Sequence, residues 1–188
     1  TRLKPLAESR YSENQTGRFL ENEKTKEIIN ILRDDDERTL LLTALSGMGK
    51  TKLIYEAFRW WERKRPNLYY AKYSGNEDDI LGEAATFMKR TDEDGIIIVD
   101  DCPLELLWEL VSRRNQCNRQ FRIIAANHDY FNDKLEMSME ARVIRLSPND
   151  MLDCVNLYID EELPAGTTPA DDINSIKDMA GGYPQMAI

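Results

Sequence analysis

The chain has 188 residues, with 25 Lys and Arg against 34 Asp and Glu, for a formal charge of −9. A chain of this length holds one domain, or one domain and the start of a second, and buries roughly 70% of its unfolded surface without staples. The 41% of apolar residues and 31% of charged residues exclude general disorder, no apolar run of about 20 residues is present to cross a membrane, and the acidic balance argues against a nucleic-acid binder driven by charge.

Cys102, Cys117 and Cys154 are odd in number and scattered, which is neither a disulfide framework nor a zinc pattern. Together with the lack of a charged-then-apolar leader, this predicts a reduced, cytoplasmic setting. Asn14-Gln15-Thr16 matches a glycosylation sequon and reads as plain surface.

Residues 1–16 are polar and aperiodic and predict an extended arm. Residues 21–33 predict a helix with Ile28, Ile29, Ile31 and Leu32 inward, ended by the acidic run from Asp34 to Glu37. Residues 39–45 form a short apolar run suited to a buried strand, broken by Gly47 and Gly49. Residues 50–65 place Leu53, Ile54, Ala57, Phe58 and Trp61 at helical spacing before Pro66. A strand at 68–73, a turn at Ser74-Gly75-Asn76 and a helix at 79–90 follow, the last with Ile80, Leu81, Ala84, Ala85 and Met88 inward.

Residues 96–99 are wholly apolar and end in Asp100-Asp101, and a helix follows with Pro103 at its first position. Residues 122–126 and 142–146 are the last strand candidates, with a short helical stretch between them. Near-continuous apolar strands alternating with amphipathic helices predict an α/β fold, a five-stranded parallel sheet covered on both faces. Ligands of such sheets bind beyond the carboxyl ends of the strands. After Leu146 the pattern turns helical. Ser147 caps a helix with Pro148 first, and a second helix opens at Thr168-Pro169 and stops at Gly181-Gly182. The predicted organisation is an arm at 1–16, a nucleotide-binding domain at 17–146 and the first part of a helical lid subdomain at 147–188, cut from a longer protein.

Three strand ends carry the chemistry. Ala44-Leu45-Ser46-Gly47-Met48-Gly49-Lys50-Thr51 joins a buried strand to an amphipathic helix, the context of a phosphate-binding loop. Its glycines let successive N–H groups face one concavity, and the helix N-terminus adds positive potential. Lys50 would meet the terminal phosphates, and the Thr51 hydroxyl would hold Mg²⁺. The strict pattern has Gly where this chain has Ala44, which fits if its φ is negative. Asp100 would hold Mg²⁺ through water, and Asp101 would orient or deprotonate the attacking water; the bland alternative is an acidic cap on the next helix. Asn127-His128 ends a further buried strand. Either residue could sense the γ-phosphate, or the pair could simply make a turn; a lone His is no metal site. Tyr69, Tyr70 and Tyr73 are expected to pack. Arg113-Arg114 favours a helix C-terminus over an arginine finger.

These motifs, in this order, resemble the STAND class of P-loop ATPases, which includes the NB-ARC and NACHT proteins within the wider AAA+ group. Thr16-Gly17-Arg18-Phe19 resembles the segment bordering the adenine, Gly47-Met48-Gly49-Lys50-Thr51 the Walker A loop, and Val99-Asp100-Asp101 the Walker B strand. Residues 122–129 resemble the sensor strand, and Gly181-Gly182-Tyr183-Pro184 the Gly-x-Pro motif of the lid. The usual sensor is Thr-Thr-Arg; Ala126-Asn127-His128 is closer to the wider AAA+ pattern.

The resemblance implies ATP or ADP with Mg²⁺ as cofactors. It implies nucleotide contacts from Gly17, Arg18, Ser46, Gly47, Met48, Gly49, Lys50, Thr51, Lys52 and Pro184, Mg²⁺ held by Thr51 and Asp100, and catalysis by Lys50, Asp101 and Asn127. It further implies a slow ATPase acting as a switch. Occupancy controls homo-oligomerisation and an effector, through winged-helix, sensor and effector domains outside this chain; relatives act in bacterial antiviral defence or transcription regulation. A different reading is an AAA+ machine working on nucleic acid, which the charge of −9 disfavours. A third is a degenerate scaffold, suggested by Ala44.

Overall fold

The structure is a computed structural model and describes residues 3–5, 19–34, 36–58, 67–90, 94–117, 121–128, 141–163, 168–182 and 184. Gly17, Arg18, Trp60, Trp61, Pro66, Tyr183, the sequon and the stretch between the last two strands lie outside the described residues.

In chain order the elements are β1 (Lys4–Pro5), α1 (Glu23–Arg33), β2 (Thr39–Ala44), α2 (Lys50–Phe58), β3 (Leu68–Lys72), α3 (Glu77–Arg90), β4 (Gly95–Asp100), α4 (Leu104–Asn115), β5 (Phe121–Asn127), β6 (Arg142–Leu146), α5 (Pro148–Glu162) and α6 (Ala170–Ala180). The sheet order is β1-β3-β4-β5-β2-β6. Strands β3, β4, β5, β2 and β6 are mutually parallel, as expected. Strand β5 separates β2 from β4, so Asn127 ends its strand between the loop after β2 and the acids after β4.

Part of the predicted arm departs from expectation. Lys4 and Pro5 pair antiparallel with Tyr70 and Tyr69 as a sixth, edge strand. Proline is tolerated there because an edge strand has one side without ladder bonds. Leu3 is buried beside it.

Strands β2, β4 and β5 are buried at every residue. Alternation along them divides the core between two faces. Leu40, Leu42, Ile96, Ile98, Ile124 and Ala126 pack with α1, α2 and α5. Leu41, Ile97, Val99, Ile123 and Ala125 pack with α3 and α4. Neither face meets water, so the central residues of these strands are apolar, and the polar ones, Thr39, Thr43, Asp100, Arg122 and Asn127, stand at or near the strand ends.

Caps set the helix bounds. Asn22 accepts from the Thr25 amide at 2.8 Å while the Asn22 amide donates to the Thr25 hydroxyl at 2.8 Å, closing a reciprocal box at the start of α1. Pro103 caps α4 and does not begin it. The amide and hydroxyl of Ser147 both donate to Asp150 at the start of α5. Gly181 ends α6 in the left-handed conformation, φ 53°. Helix α5 also meets the segment ahead of α1: Asn22 Nδ2 donates to the Asp150 carbonyl at 2.7 Å, and the Cys154 thiol to the Leu20 carbonyl at 3.4 Å.

Candidate active site

The loop between β2 and α2 turns on Gly47 at φ 82° and Gly49 at φ 81°. A side chain at either position would sit in the left-handed region that L-residues avoid. Ala44 is the last, fully buried residue of β2, paired in register with Leu146. Among the described residues Asp101 is the one non-glycine at positive φ, so Ala44 occupies its position without strain. Met48 is buried under the loop, while Ser46 is exposed.

Helix α2 begins at Lys50, directly after the loop, and its first turn holds no acid. Helices α1, α3, α4, α5 and α6 all carry Asp or Glu in their first turn. Acids there complement the positive end of a helix. At α2 that end is left for an anion, and the glycine loop leads the chain into it.

The Lys50 ammonium folds back on the end of β2, donating to the Ala44 carbonyl at 2.9 Å and the Leu45 carbonyl at 3.1 Å. Burial lowers its pKa, and the nearby Asp100 and Asp101 carboxylates oppose that shift. The ammonium is thus partly desolvated, close to two acids, and at the mouth of the loop.

Asp100 is 1% exposed. Its Oδ2 accepts from the Thr51 hydroxyl at 2.7 Å and from the Tyr70 hydroxyl at 3.1 Å. Its Oδ1 accepts from the Asp101 amide at 3.1 Å. Burial is the main influence on its pKa and raises it; the Thr51 and Tyr70 hydrogen bonds pull down and the Asp101 charge pushes up. Tyr70 is in turn raised by burial and by the carboxylate it faces.

A buried carboxylate with a raised pKa destabilises the unliganded fold at neutral pH. Its contribution is most favourable below the unfolded value near 4 and is lost as pH rises through the folded value. Asp100→Asn is therefore expected to raise the melting midpoint of the unliganded protein at pH 7, with the difference shrinking as pH approaches 4. Scanning calorimetry across that range checks it.

Asp101 leaves the strand at φ 53°. Its carboxylate pairs with Lys72 at the tip of β3, at 3.1 Å, and lies 4.0 Å from His128 Nδ1. The hydrogen bond to Asp101 holds the Lys72 pKa above its usual value. Both partners reach solvent, so the pair contributes under about 1 kcal/mol to stability. Asn127 is buried, and its amide donates to the Cys102 carbonyl, while the Cys102 amide donates to the Ala126 carbonyl at 2.8 Å. These two bonds tie the end of β5 to the turn that carries Asp101.

The structure therefore brings Lys50, Thr51, Asp100, Asp101 and Asn127 to one sheet edge. Lys52 turns along α2 instead, to Glu56 at 3.1 Å and over the Tyr55 ring. Pro184 is half-buried beyond α6. Arg113 and Arg114 sit at the far end of α4. Arg113 donates to the Leu81 carbonyl, and buried Arg114 donates to the Arg38 carbonyl and the Thr39 hydroxyl, at the start of β2. Arg113 thus ties α4 to α3 and Arg114 ties it to the start of β2, the end of the sheet opposite the glycine loop.

Tyr70 and Lys72 are site residues that the sequence did not mark. The available signal is register: Tyr70 pairs with Ile98 and Lys72 with Asp100, so Tyr70 shares a sheet face with Asp100 one step up the neighbouring strand.

The donors suit a magnesium nucleotide. Two hard oxygen donors, the Thr51 hydroxyl and the Asp100 carboxylate, already meet at 2.7 Å. Mg²⁺ takes one or two such groups, with the remainder from phosphate and water.

No protein-family model matches the sequence, and no curated protein matches it significantly. Solved structures do resemble it. PCH-2 of C. elegans superposes with a TM-score of 0.56 at 12% identity, over 96% of this chain and 64% of that one. AMPPCP-bound DnaA from Aquifex aeolicus gives 0.51 at 15%, over 90% and 65%. A STAND protein with a tetratricopeptide repeat sensor from Pyrococcus horikoshii gives 0.51 at 17%, over 90% and 29%. The chain spans less than two thirds of each of these three. No helix among the described residues is long and apolar enough to cross a membrane. With five parallel strands in this order, helices on both faces and a glycine loop opening α2, the chain has the fold of the AAA+ P-loop ATPases.

Proposed function

We propose that the chain is the nucleotide-binding module of a STAND-type signalling ATPase, a switch operated by ATP and ADP. The observation that carries this is the Thr51–Asp100 hydrogen bond beside Lys50, at the acid-free N-terminus of α2. On this reading the Gly47–Gly49 amides and Lys50 bind the phosphates, and Thr51 and Asp100 hold Mg²⁺. The ion, when bound, neutralises charge on the transferring phosphate. Asp101, aimed by Lys72, orients the attacking water and takes its proton. Asn127 is the sensor of this reading, fixed at the Asp101 turn.

The contacts of α5 with Leu20 and Asn22 favour a switch. They join the lid to the segment next to Gly17-Arg18, so a nucleotide lodged there would bear on both. A module of this kind needs differential affinity for two arrangements of such an element. Oligomerisation, effector output, a role in defence-type signalling and cytoplasmic location belong to the same proposal and involve chain beyond these residues.

A second reading, an AAA+ ATPase acting on nucleic acid, is favoured by the position of Asn127 and the likeness to DnaA. Turnover separates the two. A switch hydrolyses ATP slowly, on the order of 10⁻⁴ to 10⁻² s⁻¹ as for unassisted nucleotide switches, and duplex DNA leaves the rate unchanged. DNA-stimulated hydrolysis that falls steeply with salt would establish the second reading and displace the first.

A further inference from the structure

Asp100 has one hydrogen-bond donor that belongs to neither the phosphate loop nor its own strand. Tyr70, on the adjacent strand β3, donates its phenol proton to Oδ2 at 3.1 Å, the same oxygen that the Thr51 hydroxyl reaches at 2.7 Å. The Tyr70 ring is part of the buried core under the loop, with Met48, Ile96 and Ile98. Its strand is pinned on both sides, to β4 through the Tyr70–Ile98 register and to β1 through the Tyr70–Lys4 register. The phenol therefore approaches the carboxylate from a rigid position on the neighbouring strand.

We propose that Tyr70 is a positioning residue for the divalent cation: its hydroxyl locks the Asp100 carboxylate in the orientation that meets the ion. This rests on the assignment of Asp100 and Thr51 to Mg²⁺. The physical reason lies in what happens when an ion arrives. The Thr51 hydroxyl can offer the ion a lone pair while its proton stays on Oδ2, so its position is then set by the ion as well as by the carboxylate. Tyr70 reaches the same oxygen from β3 and is not a ligand of the ion on this assignment. It keeps Oδ2 satisfied and the carboxylate fixed in both states, so little ordering remains to be done on binding. Partners of this outer kind change metal affinity by about 10- to 100-fold when removed. The Asp101 amide, the remaining donor shown, holds Oδ1 alone and leaves rotation about the Cβ–Cγ bond less constrained.

The test is Tyr70→Phe, which keeps the ring and its packing. ADP affinity is measured by calorimetry without Mg²⁺, and the apparent Mg²⁺ affinity is then measured by titration at saturating ADP. The expected result is an ADP affinity without Mg²⁺ within twofold of wild type, and an apparent Mg²⁺ affinity weaker by about tenfold or more. An Mg²⁺ affinity within twofold of wild type overturns the proposal. Repeating Tyr70→Phe in an Asp100→Asn background guards against a packing effect: with the carboxylate gone, the second change is expected to add nothing to the Mg²⁺ dependence. An equal loss in both backgrounds also overturns it. Leu68→Val, in the same strand and core, is a stability control that leaves Mg²⁺ affinity unchanged. Wild type that binds no nucleotide under any condition defeats the nucleotide assignment and this inference together; a normal wild type with an unaltered Tyr70→Phe defeats this inference alone.

Discussion

Lys50→Ala is expected to abolish the stabilisation that nucleotide confers on the wild-type protein. A ligand that binds only the folded state at 100 times its Kd contributes about 2.7 kcal/mol. For a chain of this size that corresponds to roughly 5–10 °C in melting midpoint. Lys50 supplies the ammonium at the mouth of the loop, and in the unliganded protein it spends its protons on the Ala44 and Leu45 carbonyls. Phosphate oxygens are stronger acceptors than these carbonyls because they carry charge. The exchange is therefore favourable, and a partly desolvated ammonium is poised for it. Alanine leaves the glycine loop and the end of α2 in place but removes that charge. Thermal melts with and without MgADP and MgATP check the prediction: a midpoint shift in Lys50→Ala matching that of wild type contradicts it.

Gly182→Ala is expected to undock α6 from α5 while the sheet stays folded. Gly182 sits at φ 83°, and a Cβ there would lie 2.1 Å from the Pro148 carbonyl oxygen and 2.7 Å from its carbon. Both obstacles are backbone, so neither can turn aside. Left-handed strain costs about 1–3 kcal/mol, and overpacking typically another 1–3 kcal/mol. Little opposes that loss, because the contact between α5 and α6 rests on Val155, Ile159 and Ala180 with Leu163 and Ile173 beside them, and on one solvent-reaching Lys177–Asp160 ion pair. Elements held by so few buried residues open locally before the whole domain does. Hydrogen exchange is the measurement. Protection along α6 is expected to vanish while β2, β4 and β5 keep theirs. Gly82→Ala serves as the counter-case: it lies within α3 with nothing within 4 Å of its Cβ, and is expected to gain about 0.5–1 kcal/mol from helix propensity. Retained α6 protection in Gly182→Ala would show that Gly182 and Pro148 are not in contact in solution.

The parallel sheet was legible because of one constraint. Leu40-Leu41-Leu42, Ile96-Ile97-Ile98-Val99 and Ile123-Ile124-Ala125-Ala126 have no polar alternation, and only strands covered on both faces can be written that way. The glycine loop was legible because its residues have few other uses between a buried strand and a helix. The edge strand was not: two residues carry no period, and Lys4 and Pro5 join the sheet because β3 offers them a free edge. Tyr70 was missed for a different reason. A tyrosine on a buried strand satisfies the same pattern whether its ring merely packs or its hydroxyl meets a carboxylate. Register with β4 decides between these, and register is a tertiary fact. Lys72 reads as an exposed strand end until Asp101, turned out at positive φ, meets it. Asn127 was placed correctly at the strand ends, but its tie to Cys102 depends on the turn geometry after β4.

Every functional assignment above depends on nucleotide binding where Lys50, Thr51 and Asp100 meet. The most direct measurement is calorimetric titration of the wild-type protein with ADP and ATP, with and without Mg²⁺. Saturable one-to-one binding of both is expected, with ATP binding tightened by Mg²⁺. Absence of binding heat with either nucleotide at millimolar concentration, in a protein shown to be folded, would contradict it.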